Sequence, residues 1–174
     1  MTSRERLLAV LRGEIADCVP VSPDFSNMIP CKLTGKPFWD IYLFHDPPLW
    51  QAYLRAAEFF GNDIGFELYD YGPVDVVDGT RAAIEERIVY RDEERILTQG
   101  YETREARWSK LATVYPARNP PVRRIDPAAW GIPQPPREWV PVVRKSGPEG
   151  YALWRAIREE VGDSGIVGMS SGFG

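Results

Sequence analysis

The sequence predicts an α/β protein in which helices alternate with short strands and a β-ribbon is inserted before the last helix. Apolar residues at helical spacing give way to a β-type pattern within a few residues, first after Gly61 and again after Gly162. Strands that are separated by helices usually form a parallel sheet. Between these two helix–strand units, residues 84–114 follow the pattern of antiparallel strands.

The first element is a helix that we predict over residues 3–12. Thr2 and Glu5 have the spacing of a capping box, and Gly13 is suited to end the helix in a left-handed conformation. The short apolar run over 18–22 then predicts the first strand of the sheet.

A second helix is predicted after Asp46, whose carboxylate can cap the helix, with Pro47 at the first helical position. Its apolar residues keep helical spacing as far as Gly61. Alternating apolar residues within 62–70 predict that a strand begins directly after that glycine.

The inserted ribbon is a hairpin or a three-strand meander over about 84–114, with a polar turn at 91–94. The charged run 102–108 could alternatively be helical. Many prolines fall within 115–148, and we predict irregular structure there. A second capping-box spacing, Ser146 to Glu149, then predicts the last helix.

The chain ends with the sequence GIVGMSSGFG, which predicts a third strand followed by a loop of small residues. Such a loop offers backbone N–H groups to an anion, as phosphate-binding loops do. A phosphate loop also needs a helix N-terminus beyond it, which this stretch does not provide. We therefore interpret the stretch as a strand with a substrate-facing loop.

Composition places the chain among globular proteins of one domain, because 44% of its 174 residues are apolar. The formal charge of −4 gives no reason to expect nucleic acid as a partner. No stretch approaches the roughly 18 apolar residues of a membrane span, and the first residues do not form a signal peptide. We expect a cytoplasmic protein.

Metal binding is not expected within this chain. His45 is the only histidine, and Cys18 and Cys31 are the only cysteines, which indicates two reduced thiols. These three residues could supply three zinc ligands by number alone. Cys18, however, should begin the first strand, at the end remote from the expected active face.

Residues 3–21, SRERLLAVLRGEIADCVPV, resemble the opening of the uroporphyrinogen decarboxylase superfamily, which begins with a similar helix, a short turn and a Val-Pro-Val strand. The resemblance implies a (β/α)8 TIM barrel, which needs roughly 250 residues. We therefore expect 1–174 to be a single incomplete domain. It would be a partial (β/α)8 barrel, the N-terminal half with a β-ribbon insertion, completed by more chain, by a partner or by a second copy.

The same resemblance implies two kinds of chemistry. The decarboxylases carry an arginine-rich motif after the first strand, because several substrate carboxylates need such partners. Residues 20–30 contain no arginine, which disfavours the decarboxylase reaction of tetrapyrrole biosynthesis. The remaining branch transfers methyl groups to or from corrinoid proteins, with zinc held by later strands of the barrel.

We therefore predict methyl transfer involving a corrinoid protein and a small-molecule substrate, with this chain alone inactive and without a cofactor of its own. Decarboxylation of uroporphyrinogen and a non-catalytic interaction subunit are the alternatives. The resemblance suggests Asp70 as a catalytic carboxylate, at the carboxyl end of the second strand. The predicted substrate-binding residues, which all follow predicted strands, are Asp24, Phe25, Tyr69, Ser170, Ser171 and Phe173.

Overall fold

The computed structural model describes residues 1–67, 84–121 and 123–168. The helices within these ranges are α1 (Ser3–Leu11), α2 (Met28–Leu33), α3 (Phe38–Tyr42), α4 (Leu49–Phe60) and α5 (Gly150–Val161). The strands are β1 (Ile64–Glu67), β2 (Ile84–Arg91), β3 (Arg95–Glu102), β4 (Arg107–Pro116), β5 (Arg123–Ile125), β6 (Val140–Pro141) and β7 (Gly165–Gly168). None of the described helices combines the length and apolar character that crossing a membrane requires.

The chain divides into two compact units. The first unit comprises Met1–Leu33, Leu49–Val76 and Ser146–Gly174. The second unit comprises Thr34–Pro48 and Val77–Lys145. Each unit has its own sheet, because β1 pairs only with β7 among the described strands and the other five strands pair with one another.

The first unit contains a two-stranded parallel sheet covered on one face by two helices. β1 and β7 run in the same direction, with Ile64 opposite Gly165 and Glu67 opposite Gly168. α4 leads into β1 and α5 leads into β7, and residues of both helices and of β1 form one apolar core. Gly165 permits this pairing, because a Cβ atom there would lie 1.9 Å from the carbonyl oxygen of Ile64.

The C-terminal ends of the long helices and the N-terminal cap of α1 agree with the sequence predictions. α4 stops at Phe60 and is followed by Gly61 with φ of 67°, the left-handed conformation typical of a residue just past a helix. α1 has the predicted capping box: the Glu5 N–H donates to Thr2 Oγ1 at 3.1 Å, and the Thr2 N–H donates to Glu5 Oε2 at 2.8 Å. The predicted cap of α5 is wrong in detail, because Glu149 precedes the helix without a capping side-chain bond.

The predicted first strand over 18–22 is wrong. Cys18 lies in a bend, and residues 19–22 run next to β1 without forming a strand ladder. The Asp63 N–H donates to the Val21 oxygen at 2.9 Å, and the Val21 N–H donates to the Asp63 side chain at 2.8 Å. The Asp63 carboxylate thus accepts the hydrogen bond from the Val21 N–H, which a strand ladder would need. Pro20 has no N–H and cannot donate to a ladder either.

The second unit is built on a five-stranded antiparallel sheet with the order β5-β4-β3-β2-β6. β2, β3 and β4 confirm the predicted meander, and the run 102–108 forms the β3–β4 turn and its flanking strand ends rather than a helix. The segment 115–148 is not irregular throughout, because it contributes β5 and β6 to the edges of this sheet.

Two side-chain clusters stabilise the second unit. The Arg87 guanidinium lies 3.7 Å from the ring centroids of both Tyr101 and Trp139, so it is enclosed between two aromatic faces. The Tyr115 hydroxyl donates to Glu86 Oε1 at 3.0 Å across the same sheet. Burial and the nearby Glu86 charge raise the pKa of Tyr115 well above its ordinary value.

The expected half of a (β/α)8 barrel is wrong. The described residues form a mixed α/β structure with one small parallel sheet and one five-stranded antiparallel sheet. A barrel half requires successive parallel strands, each followed by a helix. Here the predicted first strand does not form, and the ribbon extends into a sheet with its own apolar core, which includes Leu97 and Val114.

Candidate functional site

The candidate site lies where the small parallel sheet of the first unit ends. The segment 21–24 runs alongside β1 in the same direction, since Val21 bonds to Asp63 and the Ser22 Oγ accepts from the Gly65 N–H at 2.9 Å. The carboxyl ends of β1 and β7 lie side by side, and this segment flanks β1. We call this region, bounded by Asp24, Glu67 and Gly168, the carboxyl edge. Ligands of parallel α/β sheets bind at such edges.

An exposed carboxylate is fixed at the carboxyl edge by a tyrosine of α4. The Tyr53 hydroxyl donates to Asp24 Oδ1 at 3.1 Å and accepts from the Phe25 N–H at 3.1 Å. The Ser26 N–H donates to the same Asp24 oxygen at 2.8 Å. Asp24 is therefore exposed but held in one orientation, with Oδ2 making no hydrogen bond within the described residues.

Aromatic rings stand behind this carboxylate. Phe25 meets Tyr53 edge to face at 5.7 Å and stacks on Phe60 at 5.5 Å. Tyr53 in turn meets Phe66 of β1 edge to face at 6.0 Å. Phe66 belongs to the core of the first unit and Phe25 and Tyr53 pack against it, so Asp24 is backed by apolar surface rather than by other charges.

Trp154 of α5 occupies the position equivalent to Tyr53 of α4. Each precedes the first residue of its following strand by the same number of residues, and those first residues, Ile64 and Gly165, are opposite each other. Both side chains pack against the same core. The Tyr53 hydroxyl has two partners, whereas the buried Nε1 of Trp154 has no hydrogen-bond partner among the described residues.

The opposite end of β1 is held by a buried ion pair. Arg6 Nη1 donates to Asp63 Oδ1 at 2.6 Å, and Arg6 Nε donates to Asp17 at 2.8 Å. Burial by itself would raise the pKa of Asp63, but bonds from Ser3, the Val21 N–H and Arg6 together lower it below its ordinary value. The Arg6–Asp63 ion pair lies outside the carboxyl edge. Through the bond from the Val21 N–H to Asp63, it fixes the segment that leads to Asp24.

The structure brings two predicted site residues, Asp24 and Phe25, to the carboxyl edge, and their binding roles stay predictions. The others follow β1 or β7 and lie outside the described residues: Tyr69, Asp70, Ser170, Ser171 and Phe173. Sequence reasoning missed Tyr53 and Trp154 as site residues. The helical spacing of Tyr53 indicated only core packing, and Trp154 was not among the residues assigned to the apolar face of the last helix; the available signal was the polar atom that each side chain carries.

The described residues do not fit a zinc ion. No group of three or more His, Cys, Asp or Glu side chains among them is arranged to hold a metal. Cys31 is completely buried beside α4, whereas Cys18 is exposed. The combination of Cys18, Cys31 and His45 is therefore not a ligand set.

No known protein family, curated protein or solved structure matches this chain.

Proposed function

We propose that this protein takes part in methyl transfer involving a corrinoid protein, and that it binds the small-molecule methyl donor at the carboxyl edge. The sequence resemblance over 3–21 supports the reaction type. The single structural observation behind the proposal is the exposed Asp24 carboxylate, oriented by the Tyr53 hydroxyl at the end of a parallel sheet. A cytoplasmic location belongs to the same proposal.

Asp24 has a binding role in this proposal. Its Oδ1 already accepts two hydrogen bonds, so Oδ2 is the atom available to a cationic group or a donor of the ligand. Fixing the carboxylate before the ligand arrives reduces the entropy lost on binding. The proposal assigns no metal to the described residues, and no step of the chemistry is derived through one.

Decarboxylation of uroporphyrinogen is the less favoured alternative. That substrate carries several carboxylates, which require arginine or lysine partners. The segment leading to the carboxyl edge, 20–30, contains no arginine, and Asp24 would repel an anionic substrate. A non-catalytic interaction subunit is the alternative from another class.

The test is a methyl-transfer assay on the protein expressed from its complete reading frame. Cob(I)alamin serves as the methyl acceptor, and methylated amines, methanol and methoxylated aromatics serve as donors. We expect methylcobalamin to form with at least one donor, followed by its absorbance. Asp24→Asn should lower the rate roughly tenfold or more, as expected for one charged contact.

The control variant is Asp40→Asn, in the second unit, which should leave the rate unchanged. If no donor yields methylcobalamin while uroporphyrinogen is decarboxylated, the alternative reaction is correct. If neither reaction occurs, the interaction subunit becomes the better description. A rate that Asp24→Asn does not change would contradict the binding role of this residue.

A further inference from the structure

We propose that one side of α5 is a docking surface for an acidic protein segment. The surface consists of Tyr151, Trp154, Arg155 and Arg158, and we call it the α5 patch. The partner presents carboxylates around an apolar side chain. This inference goes beyond the proposed function and does not depend on it.

The four residues of the α5 patch lie on one side of the helix. Tyr151 is followed three and four positions later by Trp154 and Arg155, and Arg158 comes one turn after those two. Side chains at such spacing are neighbours on a helix. At about 3.6 residues per turn, the patch is centred about 110° away from the core-facing residues of α5, so it flanks the core without belonging to it.

The side chains of the α5 patch contact one another. The rings of Tyr151 and Trp154 are stacked, with centroids 5.4 Å apart and planes inclined by 11°. The Arg155 guanidinium lies 4.7 Å from the Tyr151 centroid, and the Arg158 guanidinium lies 5.3 Å from the Trp154 centroid. These contacts restrict the four side chains before a partner arrives, which reduces the entropy lost on binding.

The composition of the α5 patch is that of a protein-binding surface. Tyrosine, tryptophan and arginine are the residues that most often dominate the binding energy of protein interfaces. The patch consists of these three residue types. Tyr151 is 59% exposed, and Arg155 and Arg158 are exposed as well. A protein docked on α5 therefore buries aromatic surface and two cations together.

The charge of the α5 patch defines the chemistry of the partner. Neither Arg155 nor Arg158 forms an ion pair within the described residues. Glu159 lies one turn beyond Arg155 without pairing with it, and Glu160 follows on the same helix. Because guanidinium groups make strong charge-assisted bonds to carboxylates, an aspartate or glutamate of a partner complements this surface.

Two other occupants fit the charges less well. A second copy that docked α5 against α5 around a two-fold axis would bring the arginines of both patches together, and like charges repel. A nucleic acid would extend beyond the patch, and the first unit has almost twice as many acidic as basic residues. A short acidic protein segment contacts the cationic patch alone.

The experiment uses the full chain and three short synthetic probes of equal length. The first probe is a peptide of glutamates around central leucines, and the second carries lysine in place of each glutamate. The third probe is single-stranded oligothymidine. Binding is followed by nitrogen–proton NMR, with the backbone amides of α5 as reporters, and the titration gives Kd.

We expect the acidic peptide to shift the amides of the α5 patch, with an affinity that falls as ionic strength rises. Arg155→Glu combined with Arg158→Glu should weaken its binding about tenfold or more, because two attractive contacts become repulsive. Arg12→Glu combined with Arg55→Glu is the matched control, since both arginines are exposed in the same unit. This control makes the same change in net charge and should leave the affinity unchanged.

The aromatic part of the patch is tested separately. Tyr151→Ala should weaken binding of the acidic peptide about tenfold, as expected for an interface aromatic. Phe59→Ala is the matched control, because Phe59 is 70% exposed on α4. Circular dichroism establishes that the variants fold, and the amide shifts of the wild-type protein test the contact without any variant.

Unshifted α5 amides at the highest concentration of acidic peptide would overturn the inference, as would shifts that the Arg155 and Arg158 double variant retains. Equal losses in the Arg12 and Arg55 control would show that net charge, and not the patch, attracts the peptide. Tighter binding of the lysine peptide, or of oligothymidine through the same arginines, would exclude an acidic protein partner. None of these outcomes depends on methyl transfer, so the inference and the proposed function fail independently.

Discussion

Replacing Asp63 by asparagine should destabilise the first unit more than any change to the exposed ion pairs around it. The carboxylate is only 8% exposed, and its two oxygens accept from Arg6 at 2.6 Å and from the Val21 N–H at 2.8 Å. Asparagine keeps one acceptor and turns an NH2 group toward the other donor. Losing one charge-assisted bond and leaving a donor unpaired costs about 2–4 kcal/mol.

Urea unfolding followed by circular dichroism measures this loss, and hydrogen exchange over residues 18–25 locates it in the first unit. Asp17→Asn is the matched control, because Asp17 is bound by the same Arg6 but its side chain is 41% exposed. Its effect should be much smaller, since solvent screens an exposed pair. Equal effects of the two variants would refute the reasoning from burial.

The same residue predicts a pH dependence. The folded protein holds the pKa of Asp63 below its ordinary value, so the stabilisation is complete above the ordinary aspartate pKa of about 4. It is lost as the pH falls through the lower, folded-state pKa. Asp63→Asn should therefore show a weaker loss of stability in acid than wild type.

Two further predictions concern the second unit. Arg87→Ala should lower its stability by about 2 kcal/mol, because a desolvated cation between two rings is lost. Thermal unfolding measures this, and Arg87→Lys, which lacks the planar group, should recover only part of it. Folded protein should contain a tyrosine that ionises late in an ultraviolet titration, and Tyr115→Phe should remove that step. Because the folded-state pKa of Tyr115 is raised, its stabilisation is present below about pH 10 and lost above it. A late step that persists in Tyr115→Phe would contradict the assignment.

Local signals in the sequence predicted the three long helices and the meander. The capping box at Thr2, the glycine after α4 and the alternation in 84–114 each depend on residues close together in the chain, and the structure confirms all three. The first strand failed because its outcome depended on a distant residue, Asp63, whose side chain competes for the Val21 N–H.

The cap at Asp46 failed for a similar reason. Its carboxylate is held by Lys36 and Lys145, which lower its pKa, and α4 begins only at Leu49. The lysine at 145 is far away in sequence, so no local pattern could indicate the competition. The short helices α2 and α3, with Pro30 inside the first, were also missed because they have too few residues for a periodic signal.

The candidate site was predictable in part. Asp24 and Phe25 could be proposed because they follow an apolar run that leads to the end of a sheet. Their connection to Tyr53 was not visible, because a tyrosine at helical spacing among apolar residues indicates core packing first. The equivalence of Tyr53 and Trp154 required the register of β1 against β7, which only the structure supplies.

The way in which α1 is attached has a consequence for how this protein is handled. Ala9 is the only fully buried residue of α1, and Leu11 is 70% exposed, so the helix contributes little to the apolar core. Its strongest link to the first unit is Arg6, with Asp17 and Asp63. Such contacts weaken as ionic strength rises, particularly the exposed one. High ionic strength should therefore loosen the Arg6–Asp17 attachment of α1 first, while the less exposed Arg6–Asp63 pair keeps the helix docked.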